Sequence, residues 1–301
     1  MSAFAAESYW NKGRLFINRA LESPDIRSED ERRLWASLAL EVLAKWALAA
    51  TSPTLVADPA KGDGEQLYKA LGIREGGPYV SVTASTAFKR CAAIYHPFDE
   101  RRASGYSNAR NEYLHGSDIE LLRLPADVWW SRFWSLINVL LAAHEREPLD
   151  LVGPAAVADV EAHLARNEAR TKEQVQAAIA AARRNLARWN ASTIMASQAR
   201  RWKQWGHGRQ HYKYSADAEC PACQATGTVA SDYEDDREII WPDNSDDEPY
   251  MEVTFTPDYF SCPVCHLVLF DYEQLLEAGL ADPITLATDE EIDYEPDYGN
   301  D

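Results

Sequence analysis

Ser37-Leu38-Ala39-Leu40-Glu41-Val42-Leu43-Ala44-Lys45-Trp46-Ala47 is the stretch whose spacing decides how the chain folds. Around it, Trp35, Leu38, Ala39, Val42, Trp46 and Ala49 recur at mostly three- and four-residue intervals. That repeat keeps side chains on one face of an α-helix, with alanine filling the tighter contacts. The spacing predicts a helix over 29–50, entered through a capping box of Ser28 and Glu31. Glu41 and Lys45, four residues apart in the favourable order, predict an ion pair on its solvated face.

Further helices are expected over 2–22, 65–71, 83–95, 99–115 and 125–147. Residues 51–64 read as a loop, and Gly76-Gly77-Pro78 as a turn. Cys91 reads as a small buried side chain, and His96-Pro97 as the end of its helix, with His96 as a C-terminal cap. The helix over 125–147 carries Trp129, Trp130, Phe133, Trp134, Ile137, Leu140 and Leu141, an apolar surface wider than one stripe. It is expected at the centre of the fold or at an oligomer interface. Residues 148–154 read as a linker, followed by helices over 155–166 and 171–205. In the second, Val175, Ile179, Ala182, Leu186 and Trp189 step by 4, 3, 4, 3, a coiled-coil spacing that here reads as a long helix packed on a neighbour.

From Cys220 the texture changes. Short β-prone runs at 227–229, 239–241, 251–255 and 267–270 sit between turns. Two acidic loops, 232–238 and 243–248, interrupt them, then a short helix over 271–279 and an acidic tail. The fold class expected is mainly α: a helical bundle over 1–148, a helical linker with a basic aromatic segment over 149–214, and a small acidic β domain over 215–301.

Charge follows the same division. Residues 1–214 hold 29 basic and 24 acidic side chains; residues 215–301 hold one arginine and 24 acids. Within 166–214, eleven basic residues face only Glu168 and Glu173. Arg183, Arg184, Arg188, Arg200, Arg201 and Lys203, with Trp202 and Trp205 between them, fit RNA: guanidinium groups meet phosphates and rings stack on unpaired bases. The acidic end opposes nucleic acid, so it is read either as a restraint on the basic segment or as a docking surface for a protein regulator. No continuous apolar run reaches the roughly 18–20 residues of a bilayer span. The start, MSAFAAESYWNKGRLF, lacks signal-peptide features. A cytoplasmic protein with no membrane partner is the expectation.

Cys220-Pro221-Ala222-Cys223 and Cys262-Pro263-Val264-Cys265 are near-identical knuckles, 38 residues apart. Two CxxC pairs in a cytoplasmic chain read as a metal site before they read as disulfides. Four thiolates suit a closed, tetrahedral, structural Zn²⁺ in a zinc ribbon, and leave no vacancy for His266.

Arg110-Asn111-Glu112-Tyr113-Leu114-His115-Gly116 carries the candidate chemistry. Cleaving RNA without a metal needs a base for the 2′-oxygen proton, a cation on the phosphate and an acid for the departing 5′-oxygen. Histidine titrates near neutrality and serves as base or acid; arginine stays charged and grips phosphate with two donors. Asn111 lies four residues before His115, where its amide reaches the imidazole. One arginine and one histidine are few for acid and base, so two copies facing each other across a dimer axis are expected to share the site.

These residues, with the Ser37–Ala47 helix and the apolar helix after the motif, resemble the HEPN superfamily over residues 29–148. The resemblance implies a four- or five-helix bundle that dimerises. It implies a metal-independent endoribonuclease acting on single-stranded or loop RNA, with Arg110 and His115 as catalytic groups and Asn111 supporting them. It also implies a toxin or anti-phage defence role, with a protein regulator or antitoxin as partner. The alternative is a non-catalytic dimeric module that binds nucleic acid or protein, with Arg110 and His115 structural. An enzyme that modifies RNA or nucleotides lacks support, because no Gly-rich phosphate loop or carboxylate cluster is present.

Overall fold

The structure, a computed structural model, describes residues 4–193, 199–200, 202, 212–241 and 249–288. The chain divides into two compact units, Met1–Arg170 and Thr171–Asp301. The boundary between the units falls at 170/171.

The first unit is helical. α1 (Ala6–Ala20), α2 (Glu29–Thr51), α3 (Glu65–Ala70), α4 (Ala84–Ile94), α5 (Glu100–His115) and α6 (Ala126–Ala142) fall within a few residues of the sequence expectation, α6 five residues short at its C-terminal end. Two single-turn 3₁₀ segments, Pro53–Leu55 and Glu120–Leu122, lie between them. α2 is the central element: Ala36, Ala39, Leu40, Leu43, Ala44, Ala47 and Leu48 are all buried. Its small residues allow close approach, and α1 answers with Gly13, where an added Cβ would lie 2.6 Å from Leu43. Ser28 sits at the N-cap of α2 but its side chain makes no capping bond, so the expected capping box is not formed. α6 buries Trp129, Trp130, Phe133 and Trp134 within the unit, and Trp129 stacks on Phe133 at 5.4 Å. Its wide apolar surface is thus used inside the fold.

α2 is long and apolar enough to cross a membrane, with a mean hydropathy of 1.3 over an 18-residue window, although Glu41 and Lys45 interrupt its apolar run. Two-thirds of that window is buried inside the protein. The same helix carries Arg33 and Lys45, both buried and both paired with side chains of the unit. These are the marks of a core helix.

Residues 148–154 hold a short helix, α7 (Pro148–Val152), where a linker was expected. Pro148 is its first residue, and Glu147 and Asp150 form a capping box. The two helices expected at 155–166 and 171–205 are one, α8 (Val157–Asn190), which runs through the boundary between the units.

His144, just after α6, lies against Trp46 at 5.1 Å and Tyr95 at 5.3 Å. Its Nε2 is buried with no partner among the described residues. Burial holds its imidazole below the ordinary value; a hydrogen bond to the backbone of Ala47 works against this and Arg146 adds to it. His163 is also held low, by burial and by Arg166. Both take a proton less readily folded than unfolded, so stability is full above the unfolded value near 6.5 and falls as the pH drops below it. Melting temperature is expected to decline from pH 7 to pH 5.5. His144→Phe is expected to flatten that decline, and an unchanged slope in the variant would remove His144 from the account.

In the second unit, β1 (Tyr214–Glu219), β2 (Thr226–Ser231), β5 (Tyr259–Ser261) and β6 (Val268–Leu269) form an antiparallel sheet in the order β1-β2-β5-β6. β3 (Asp236–Ile240) and β4 (Tyr250–Phe255) pair with β7 (Ile284–Thr288) in a second antiparallel sheet, order β3-β4-β7. The first expected acidic loop therefore runs into a strand; the second, 243–248, and the acidic tail lie outside the described residues. α9 (Tyr272–Glu277) precedes β7. Val175 and Ala182 of α8 belong to the core of this unit together with Val229, Phe260, Leu267 and Leu269, and Ile179 and Leu186 pack against it. The 4, 3, 4, 3 stripe is the seam by which α8 packs on the first sheet.

Candidate functional site

The four cysteines are brought together by strand order. Cys220 and Cys223 occupy the β1–β2 turn, Cys262 and Cys265 the β5–β6 turn, and β2 pairs with β5 through Thr228 and Ser261. Both turns therefore lie at one end of the sheet. They are built alike: Gln224 N–H donates to Cys220 C=O at 2.9 Å and His266 N–H to Cys262 C=O at 3.0 Å. Gln224 and His266 both adopt left-handed backbone, φ +64° and +63°. Holding two non-glycine residues there costs roughly 1–2 kcal/mol each, which the surrounding hydrogen bonds offset.

All four sulfurs lie within 4.8 Å of one another, with Cys220–Cys265 at 3.5 Å and Cys223–Cys262 at 3.6 Å. A tetrahedron of sulfurs about 2.3 Å from a central zinc has edges of about 3.8 Å. A disulfide would need about 2.05 Å. The donor set therefore fits one tetrahedral, thiophilic metal ion. Burial raises all three perturbed thiols in principle. At Cys220 it prevails, lifting the thiol to about 11; it also lifts Cys265. At Cys262 the N–H groups of Cys265 and Val264 outweigh burial and hold the thiol below its ordinary value.

The basic segment meets this centre directly. Arg183, read as a phosphate contact, donates from Nε to Ala222 C=O at 2.9 Å and from Nη2 to Pro221 C=O at 2.7 Å, so it clasps the first knuckle. Trp202 lies 3.9 Å from the His266 ring and stacks on Trp189 at 5.7 Å. His266 is thus half-buried beside the second knuckle, where a surface position was expected. Arg184, Arg188 and Arg200 are exposed. Arg201, Lys203 and Trp205 lie outside the described residues.

In the helical unit, α5 presents Arg110 to α2. Its Nη1 donates to Glu41 Oε2 at 2.9 Å, and Lys45 Nζ donates to Glu41 Oε1 at 2.8 Å and to Ser81 Oγ at 3.1 Å. Ser81 in turn is hydrogen-bonded to Tyr9. Burial disfavours the Glu41 carboxylate, but Lys45 and Arg110 outweigh it and hold it below the usual range. The Glu41–Lys45 pair read as solvated is the partly buried middle of a network joining α1, α2 and α5. Asn111 Oδ1 accepts from Arg110 Nε and Nη2 at 3.2 and 3.1 Å. Its side chain therefore braces the arginine, where a bond to His115 was expected.

His115 is exposed in the last turn of α5, and no hydrogen bond to it is present among the described residues. Gly116 after it is extended, φ −98°, so it is not a left-handed cap. It leaves room for Glu112, whose carboxylate a Cβ at 116 would meet at 1.9 Å and which accepts from Ser117 N–H at 3.1 Å. Burial raises the Cys91 thiol, which donates to Ala44 C=O at 3.6 Å, so it is an inert core group.

Compared with known proteins, the chain matches no family model, no curated protein and no solved structure. Its reading rests on the two sites themselves.

Proposed function

We propose that the helical unit is a HEPN-like, metal-independent endoribonuclease acting as a homodimer on single-stranded or loop RNA, with a defence or toxin role. We also propose that the four cysteines hold a structural Zn²⁺. The observation that carries the enzymatic reading is the α5 surface. A guanidinium is held in fixed orientation by Glu41, Ser107 and Asn111, and an unengaged imidazole stands five residues on along the same helix. A pre-oriented cation positions a phosphate, and an accessible imidazole moves protons. Glu41 is a positioning residue in this scheme, acting through Arg110. The second imidazole needed for acid and base comes from the other copy.

A second reading is favoured by the same ion pair: a guanidinium already satisfied by Glu41 is a structural strut, and the unit is then a non-catalytic binding module. Wild type and His115→Ala incubated with RNA, with and without EDTA, separate the two. The first reading expects cleavage to 2′,3′-cyclic phosphate and 5′-hydroxyl ends that resists EDTA and falls at least ~10²-fold in the variant. His115 has no hydrogen-bond partner to lose among the described residues, so its variant should melt like wild type. Equal rates in the two proteins would leave the binding module.

A further inference from the structure

We propose that a cavity in the helical unit is a binding site for a compact organic anion, an aromatic or short alkyl body bearing a phosphoryl or carboxylate group. The cavity, of about 310 Å³, lies between α5, the Glu120–Leu122 turn and α6. That is the lower end of the range for small-molecule sites. Arg102, Arg123 and Arg132 line it, with Glu120 as the one acid. Their commitments differ. Arg102 pairs with Asp99 at 3.4 Å and donates to Ser135 at 3.1 Å, and Arg123 pairs with Asp118 and Glu120 at the surface. Arg132 is half-buried, and its guanidinium has no hydrogen bond or ion pair among the described residues.

A half-buried guanidinium without an acceptor is costly to maintain. A phosphoryl or carboxylate group supplies two acceptors in the geometry of its fork. The rest of the lining is apolar: Tyr106, Leu124 and Trp129 contribute ring and aliphatic surface. The Tyr106 hydroxyl does not compete for the anion, because it donates to Trp129 C=O at 3.0 Å. Burial raises the Tyr106 hydroxyl; among the charges acting on it, Arg102, Arg132 and Arg33 favour negative charge there and Asp99 opposes it.

Gly105 completes the argument. It stands inside α5, where glycine is a poor choice for a helix, yet it is exposed and lines the cavity, and a Cβ added there meets no atom within 4 Å. Helix stability and packing both permit a larger residue. Its absence keeps the cavity open. The site is separate from the Arg110–Glu41 network, and its test does not depend on RNA cleavage.

Calorimetric titration of the full-length protein with phenyl phosphate, inorganic phosphate, phenylacetate and acetate tests it. At least one aryl anion is expected to bind tenfold or more tightly than its bare counterpart, and the tighter of the two names the head group. Arg132→Gln should weaken that binding at least tenfold. Gly105→Leu should abolish it with a melting temperature equal to or above wild type, because leucine is the better helix former. Arg132→Gln removes no hydrogen bond or ion pair present among the described residues, so it remains informative should Gly105→Leu melt early. Aryl anions binding no better than bare ones, or wild-type affinity in Arg132→Gln, would overturn the proposal.

Discussion

Removing the metal from the four-cysteine centre is expected to unfold the β-rich part of the second unit. Cys220, Cys262 and Cys265 are themselves part of its core, each buried, and the other buried members are few: Ala222, Val229, Phe260, Leu267, Leu269, Leu275 and Ala281, with Val175 and Ala182 from α8. A core of that size supplies only about 3–5 kcal/mol. A structural zinc bound by thiolates supplies on the order of 10–16 kcal/mol of folding free energy at neutral pH. A metal held there as proposed would therefore decide whether the sheets form. Without it, sulfurs 3.5–3.6 Å apart face one another across a buried space with no positive charge between them. Cys262→Ser is expected to be as damaging as a strong chelator. Hydrogen exchange along 214–288 reads the outcome: protection should vanish there and persist in α2 and α6, whose packing contains no ligand cysteine. Protection retained across β2 and β5 after one equivalent of metal has been released would show that the sheets stand by themselves. Because Arg183 holds the first knuckle through Pro221 and Ala222, the second half of α8 should lose protection with the sheets.

This centre was legible in the chain because its ligands carry their own geometry. Each CPxC turn fixes its own pair of sulfurs, β2 and β5 between them pair to bring the turns together, and the remaining strands, β3 and β4, belong to another sheet. The main helices were legible for a similar reason: α2, α5 and α6 have long repeats with clear ends. The misreadings have local causes. Residues 148–154 read as a linker from sequence, although proline is also the favoured first residue of a helix, and Glu147 and Asp150 supply the caps. No glycine or proline stands between 166 and 171, and α8 runs straight through the break that the sequence suggests there. β7 was missed because Ile284-Thr285-Leu286-Ala287-Thr288 is short, and its partner β4 lies some thirty residues earlier. The Arg110–Glu41 bond spans 69 residues, and only the packing of α5 on α2 creates it. The one available signal was a charged pair inside an otherwise apolar helix. Arg183 had none, since a cation that will bind carbonyls reads the same as one that will bind phosphate.

Arg33→Met is expected to cost the helical unit about 3–5 kcal/mol, the range for breaking a buried charged network. Arg33 is 2% exposed. Its Nε donates to Glu29 Oε1 at 2.7 Å, its Nη1 to Leu121 C=O and Leu124 C=O, each at 2.9 Å, and its guanidinium lies 5.3 Å from the Trp129 ring. One side chain thus ties α2 to the turn after α5 and to the face of α6. Methionine fills much of the volume but supplies no donor. The carbonyl of Leu121 is then left without its partner in a fully buried residue, at about 1–3 kcal/mol for each such group. Glu29 suffers less, since its side chain is one-third exposed and keeps Arg32 at 3.3 Å and Trp130 Nε1 at 3.0 Å. Arg33→Lys keeps the charge but cannot reach Glu29 and two carbonyls from one ammonium, so a loss of about 2 kcal/mol is expected. Arg123→Met, removing an arginine 65% exposed in its surface pairs, should stay within ~0.5 kcal/mol. Urea midpoints for the three variants provide the ranking. A loss below about 1 kcal/mol for Arg33→Met would mean that water replaces the guanidinium at both carbonyls. Total stabilities run at about 5–15 kcal/mol, so the expected loss brings the unit near its threshold. The turn that Arg33 holds begins four residues after Gly116, so the same variant should loosen the chain next to His115 before the rest of the unit gives way.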